Sequence, residues 1–279
     1  MSVKFFGQFL ALEGVVDDEQ LRNAVELTKS RNMLLGELAV EDELITTEQT
    51  LQINREQLNR DLPFGQIAVD LGLLTQEQVE SLLVKQNEIR LRLGEACVQL
   101  GYFDDVTARK LLEKFHEEQA LYNFQNATLP ENIAKNRTAN FVLNFLPRIA
   151  MRVSRIHVKI VPTPVEENIE PNIASIALEG PEGLRIGLGS SGEYAGQLLK
   201  GMHLIMAGEE ASEEETQEDV QNVLGSFLDI IAGNCLVCMA SMGLNLKINP
   251  PVLGGRIKEG VHYSLVTTSG NATLTLAPF

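Results

Sequence analysis

The sequence predicts two successive folds: an all-α helical repeat region over residues 1–120 and an α+β domain with a mostly antiparallel sheet over 139–279, joined by a linker at 121–138. Three observations predict this. A glycine-led cassette recurs every 29 residues in the first half; the apolar period changes from helical to alternating near residue 156; and two glycine-centred hairpin signatures follow.

The repeat opens at Gly7, Gly36, Gly65 and Gly94. Seven residues later comes Gly14, Gly72 or Gly101, with Glu43 as the departure. Ten residues after the first glycine stands a side chain suited to starting a helix: Asp17, Thr46, Thr75 and Asp104. Each cassette therefore reads as a short helix, a left-handed stop and a long helix. Apolar pairs such as Val15–Val16 and Leu73–Leu74 dock the turn, while Thr46 with Gln49 and Thr75 with Gln78 form capping boxes. One such unit cannot bury its own apolar stripe, so neighbouring cassettes are expected to stack over residues 5–118.

Beyond residue 138 the elements change. The segment 139–156 is apolar at helical spacing and is interrupted by Pro147, giving one or two helical pieces. Ile156, Val158 and Ile160 alternate with polar residues as a strand does. The segments IASIALEG and LRIGLG flank Gly180–Gly183, and VHYSLVTT and ATLTLAPF flank Ser269–Asn271; both are hairpin patterns. Residues 193–206 read as a helix, Glu209 to Glu218 as an exposed acidic loop, and 217–242 as a long helix. Along that helix Val220, Leu224, Phe227, Ile231 and Cys235 make an apolar stripe. Asp219, Asn222, Ser226 and Asp229 make a second, polar one, read here as a solvated face.

Composition excludes some functions. Lys and Arg number 23 against 38 Asp and Glu, a net charge of −15, of which −10 falls within residues 1–130. Polynucleotide binding needs clustered cations to displace counterions, and neither half supplies them. No apolar run near 20 residues stands out, so membrane insertion is not expected, and three cysteines suit a reduced, cytoplasmic protein. Cys235 and Cys238 share an apolar helix with no second ligand pair, so no metal site is expected. His116, His157, His203 and His262 fall on unlike elements and form no cluster. The Gly187–Gly192 segment lacks a phosphate loop's lysine and is expected to be a plain strand-to-helix loop.

The four cassettes resemble the N-terminal domain of type II secretion and type IV pilus ATPases, the MshE N-terminal domain. In that family an Arg-Leu-Gly start and a closing glutamine can bind cyclic di-GMP. The resemblance implies Arg92, Leu93, Gly94 and Gln86 as ligand-binding residues, with Gln57 a second closing glutamine. The arginine positions of the other cassettes hold Phe5, Leu34 and Pro63, so most of the cationic donors are absent. No cofactor is expected, cyclic di-GMP being the single exception considered.

Residues 138–279 resemble the CheX family of CheC/CheX/FliY chemotaxis phosphatases. The likeness is carried by DIIAGN at 229–234, the PPVLGG turn at 250–255 and the LEGPEGLRIGLGSS hairpin. The family's Glu-x-x-Asn pair falls on Ser226 and Asp229. There the glutamate pairs with a lysine of the phosphorylated response regulator, and the asparagine positions the attacking water. Ser226 is too short and uncharged for the first role. Asp229 cannot donate as an amide does. A carboxylate beside an aspartyl-phosphate adds repulsion on the order of a few kcal/mol. Asn222, one turn earlier, could form a reversed pair with Asp229.

Together these resemblances imply a bacterial signalling adaptor. A non-catalytic CheX-like module would bind a response regulator receiver domain or its own copy, coupled to a secretion- or pilus-type helical region. The alternatives are an active or atypical aspartyl-phosphate phosphatase using Ser226, Asp229 or Asn222, and a cyclic di-GMP effector. A homodimer through sheet edges is also implied.

Overall fold

The computed structural model describes residues 4–120, 129–161, 165, 170–208 and 216–279. Their contacts divide into two units, the first of residues 4–54 with 62–120, the second of Arg55–Asp61 with residues 129–279.

The first unit is helical throughout: α1 (Phe6–Leu12), α2 (Asp18–Arg31), α3 (Leu35–Glu41), α4 (Thr47–Asn59, its last turn counted with the second unit), α5 (Phe64–Asp70), α6 (Gln76–Ile89), α7 (Leu93–Gln99) and α8 (Asp105–Ala120). Gly14, Gly72 and Gly101 end the short helices at φ +67°, +68° and +76°, and Glu43 adopts +56° at the equivalent place. A side chain there crowds its own backbone, so the second cassette holds a strained residue where its siblings hold glycine. The long helices begin on side-chain caps. Asp17, Thr75 and Asp104 each accept from the backbone N–H three residues on, and Gln20 and Gln78 return the bond to the cap's own N–H.

The leading glycines allow close helix approach. A Cβ on Gly65 would come within 2.5 Å of Val79 Cγ1, and one on Gly36 within 2.9 Å of Phe64 and Thr50. Stacking of neighbours holds only for the middle cassettes. Leu38, Ile53, Ile67 and Leu82 form one core from α3 to α6, whereas Phe9, Ala24, Ala96 and Phe115 form another from α1, α2, α7 and α8. The first and fourth cassettes thus share a core although they are farthest apart in sequence. Asn32 joins them, donating to the Leu91 carbonyl at 2.9 Å and accepting from the Leu91 N–H at 2.7 Å.

The second unit contains α9 (Glu131–Ala134), α10 (Arg137–Ser154), β1 (Val158–Ile160), β2 (Asn172–Glu179), β3 (Leu184–Ser190), α11 (Gly192–Ala207), α12 (Gln217–Ser241), β4 (Lys247–Ile248), β5 (Val252–Leu253), β6 (Val261–Thr267) and β7 (Asn271–Pro278). All described pairings are antiparallel, in the order β1-β6-β7-β3-β2-β4 with β5 also on β2. Alternate side chains, among them Ile176, Leu178, Ile186, Leu188, Leu274 and Leu276, face α10, α11 and α12 in one core. Gly201 lets α11 lie against the end of α10, where a Cβ would meet the backbone of Val153 and Ser154.

Of the one or two helical pieces expected around Pro147, the structure has one, α10 running through the proline. The loop expected at Gly187–Gly192 needs correction. Gly187, Gly189 and Ser190 are strand residues rather than a loop; β3 runs directly into α11, whose N-cap is Ser191. Residues 209–215 of the acidic stretch lie outside the described residues, and Glu218 opens α12. In addition, α12 is long and apolar enough over Glu218–Ser241 to cross a membrane by composition, and 56% of its most apolar 18 residues are buried.

Candidate functional site

The candidate site is built on α12. Thr216 accepts from the Asp219 N–H at 3.2 Å, and the Asp219 carboxylate accepts from the Thr216 N–H at 3.1 Å. Asp219 is therefore a capping residue, and the Thr216 hydrogen bonds hold its pKa below the usual range. Val220, Leu224, Phe227, Ile231 and Cys235 are all buried, as their spacing predicts. On the opposite side Asn222, Ser226 and Asp229 are exposed, and above Gly233 a Cβ would meet nothing within 4 Å. The stripe is open.

One flank of the stripe is set by the Pro250–Gly254 turn. Gly225 makes room for it, since a Cβ there would lie 2.9 Å from Leu253 Cδ2 and 3.5 Å from Pro251 Cβ. The Gly254 N–H donates to the Ile173 carbonyl at 2.7 Å, tying the turn to β2. Val252 and Leu253 remain exposed beside the helix, as does Val237 farther along it. The result is a polar stripe bordered by exposed aliphatic side chains.

Partial burial raises the Asp229 pKa above the ordinary aspartate value. One carboxylate–amide pair of the stripe stands at the three-residue spacing, Asp219 with Asn222, but the Asp219 carboxylate is taken up by Thr216 in the cap of α12. One and two turns on, Ser226 and Asp229 at the same spacing are a hydroxyl and a carboxylate. Asn222 and Asp229 are seven residues apart, about 10 Å along the helix axis. Two short side chains at that separation do not converge on one phosphoryl group as partners three residues apart do, roughly 4.5 Å along the axis.

Asn234 is not part of the open face. It is 4% exposed, and its Nδ2 donates to the carbonyls of Ile230 and Leu58, each at 2.8 Å. The Gly233–Asn234 pair thus divides into an open position and an interior hydrogen-bonding one. Nothing in the local sequence identifies Leu58 as its partner, because 176 residues separate them.

The residues expected to hold a nucleotide lie on α6 and α7. The Arg92 N–H donates to Glu95 Oε2 at 2.7 Å as the N-cap of α7, and Arg92 is exposed. Leu93 and Gly94 form the first turn, and Gly94 faces Phe6. The amide of Gln86 donates to the Met33 carbonyl at 2.9 Å, so in this conformation it joins α6 to the α2–α3 connection. Burial raises the thiol pKa values of Cys235 and Cys238, the opposite of activation. No cluster of three or more metal-ligating side chains occurs among the described residues.

No family model matches this chain, and no curated protein does. Solved structures similar to it cover its C-terminal half. Chemotaxis protein CheX from Vibrio vulnificus is 17% identical over 51% of this chain and 97% of its own, with a TM-score of 0.41. A chain of the CheX–CheY–BeF3–Mg complex from Borrelia burgdorferi is 18% identical over 52% of this chain and 99% of its own, with a TM-score of 0.38. FliY from Thermotoga maritima is 15% identical over 53% and 90%, with a TM-score of 0.35.

Proposed function

We propose that the second unit is a non-catalytic docking module for the receiver domain of a response regulator, and that the helical region serves as its adaptor toward a secretion- or pilus-type assembly. The observation that carries this reading is the α12 face. Asn222, Ser226, Asp229 and Gly233 are presented together beside an aliphatic rim, but the side chains for phosphoryl chemistry are replaced. Stabilising the transferring phosphoryl group requires donors or cations aimed at the developing negative charge. With Asp219 engaged in the cap of α12, the stripe offers one free carboxylate, one hydroxyl and one amide spread over two turns. A surface of this kind supports recognition and lacks the positioned donor–carboxylate pair that hydrolysis needs.

The test is titration of the full chain with a beryllofluoride-activated receiver domain. Binding that is weakened at least tenfold by Asp229→Arg with Val252→Asp supports the proposal. Equal affinity for the wild type and that variant removes the α12 face from the interface.

Nucleotide binding by the first unit is the weaker reading, because Gln86 is engaged with Met33 and Phe5, Leu34 and Pro63 supply no cation. Isothermal titration with cyclic di-GMP checks it, and no heat at near-millimolar ligand is expected.

A further inference from the structure

The second cassette departs from the other three on one face of its long helix. Leu58 stands where they carry Lys29, Asn87 and His116, all three exposed. Arg55 stands where they carry Glu26, Val84 and Glu113, and Asp61 where they carry Asn32, Arg90 and Gln119. An apolar residue at an otherwise polar surface position signals a covered face. Within the second unit that face is covered. Leu58 is 7% exposed and joins the core of α10, α11 and α12.

Two helix ends are satisfied at the same place. The Arg55 guanidinium donates to the carbonyls of Ile205 and Met206 at 3.0 and 2.9 Å, closing the C-terminal turn of α11. Asn234 donates to Leu58 in the last turn of α4. Asp61 then bridges two cations on α10, Arg152 and Arg148, each at 2.7 Å. The Arg148 side chain is half exposed, so this bridge is accessible to salt.

We propose that Arg55–Asp61 is a salt-releasable strap over the Asn234 flank of α12, held shut by the Asp61–Arg148–Arg152 bridge. While it is seated, both Nδ2 hydrogens of Asn234 are engaged and the Asn234 flank of α12 is covered, beside the open face that runs on through Gly233 to Val237. When it lifts, Asn234 and the Leu58 pocket join that surface, so salt or a competing anion enlarges the face available to a partner. This holds whatever binds the stripe.

Hydrogen exchange of the full chain tests it, read at the amides of Arg55–Asp61 at low and at molar salt. In the wild type, exchange there should rise about tenfold with salt. Asp61→Ala should show the raised rate at low salt and lose the salt response, while Asp61→Glu keeps it. Exchange at Arg55–Asp61 that ignores both salt and Asp61→Ala would overturn the proposal. So would a change of equal size across β3 and β7, which would mark loss of global stability instead of strap release.

Discussion

The two units keep their scaffolds by different means. In the first, stability signals are local and repeated: a cap, a leading glycine and a left-handed stop recur in each cassette, and every exception stands out against three siblings. In the second, the core is assembled from partners far apart in sequence, such as β3 against β7 and α12 against β2. Glycines and caps answer to the backbone and are read one cassette at a time; a core of distant partners is not.

The sharpest break of this comparison comes from close helix packing in the second unit. Gly201→Ala places a methyl group against the backbone of α10, which cannot rotate away, and should destabilise by about 3 kcal/mol. Urea unfolding followed by circular dichroism checks it. The corresponding change in the first unit, Gly65→Ala, meets the Val79 side chain, which can adjust, and should cost only about 1 kcal/mol. Equal losses would erase the contrast between backbone and side-chain contacts. Next in size, Glu43→Gly should stabilise by about 1 kcal/mol by relieving the left-handed strain that Gly14, Gly72 and Gly101 avoid. A thermal midpoint that falls instead would show that Glu43 makes a compensating contact.

The smallest effect concerns Asp229. Its pKa is raised in the folded chain, so its ionisation disfavours folding as pH climbs through the unfolded aspartate range, and has no effect below it. Asp229→Asn should therefore leave the urea midpoint unchanged near pH 3 and shift it slightly upward at neutral pH. A downward shift at neutral pH would mean that the carboxylate has a stabilising partner.

How far the sequence exposed this depends on the range of each interaction. The caps at Asp17 and Thr75, the stops at Gly14, Gly72 and Gly101, and the buried stripe of α12 rest on contacts within one or two turns, and their spacing announces them. The hairpins β2–β3 and β6–β7 were likewise legible from the turns between them. Sharing of a core by the first and fourth cassettes was not, because the Asn32–Leu91 clasp leaves no periodic trace. At the site, the exposed positions of Asn222, Ser226 and Asp229 followed from helical spacing. The inward turn of Asn234 did not, since its partner Leu58 belongs to another element. Whether Pro147 splits its segment was left open by the sequence for a related reason: tertiary packing of α10 overrides the local cost of one missing backbone hydrogen bond.

The α12 face is proposed to recognise a receiver domain without accelerating its dephosphorylation. Its most direct test is the decay rate of a phosphorylated receiver, measured with a molar excess of the full chain under conditions where binding is saturated. Bound receiver with an unchanged decay rate is expected. Acceleration that disappears in Asp229→Ala would contradict it and make this face a phosphatase site.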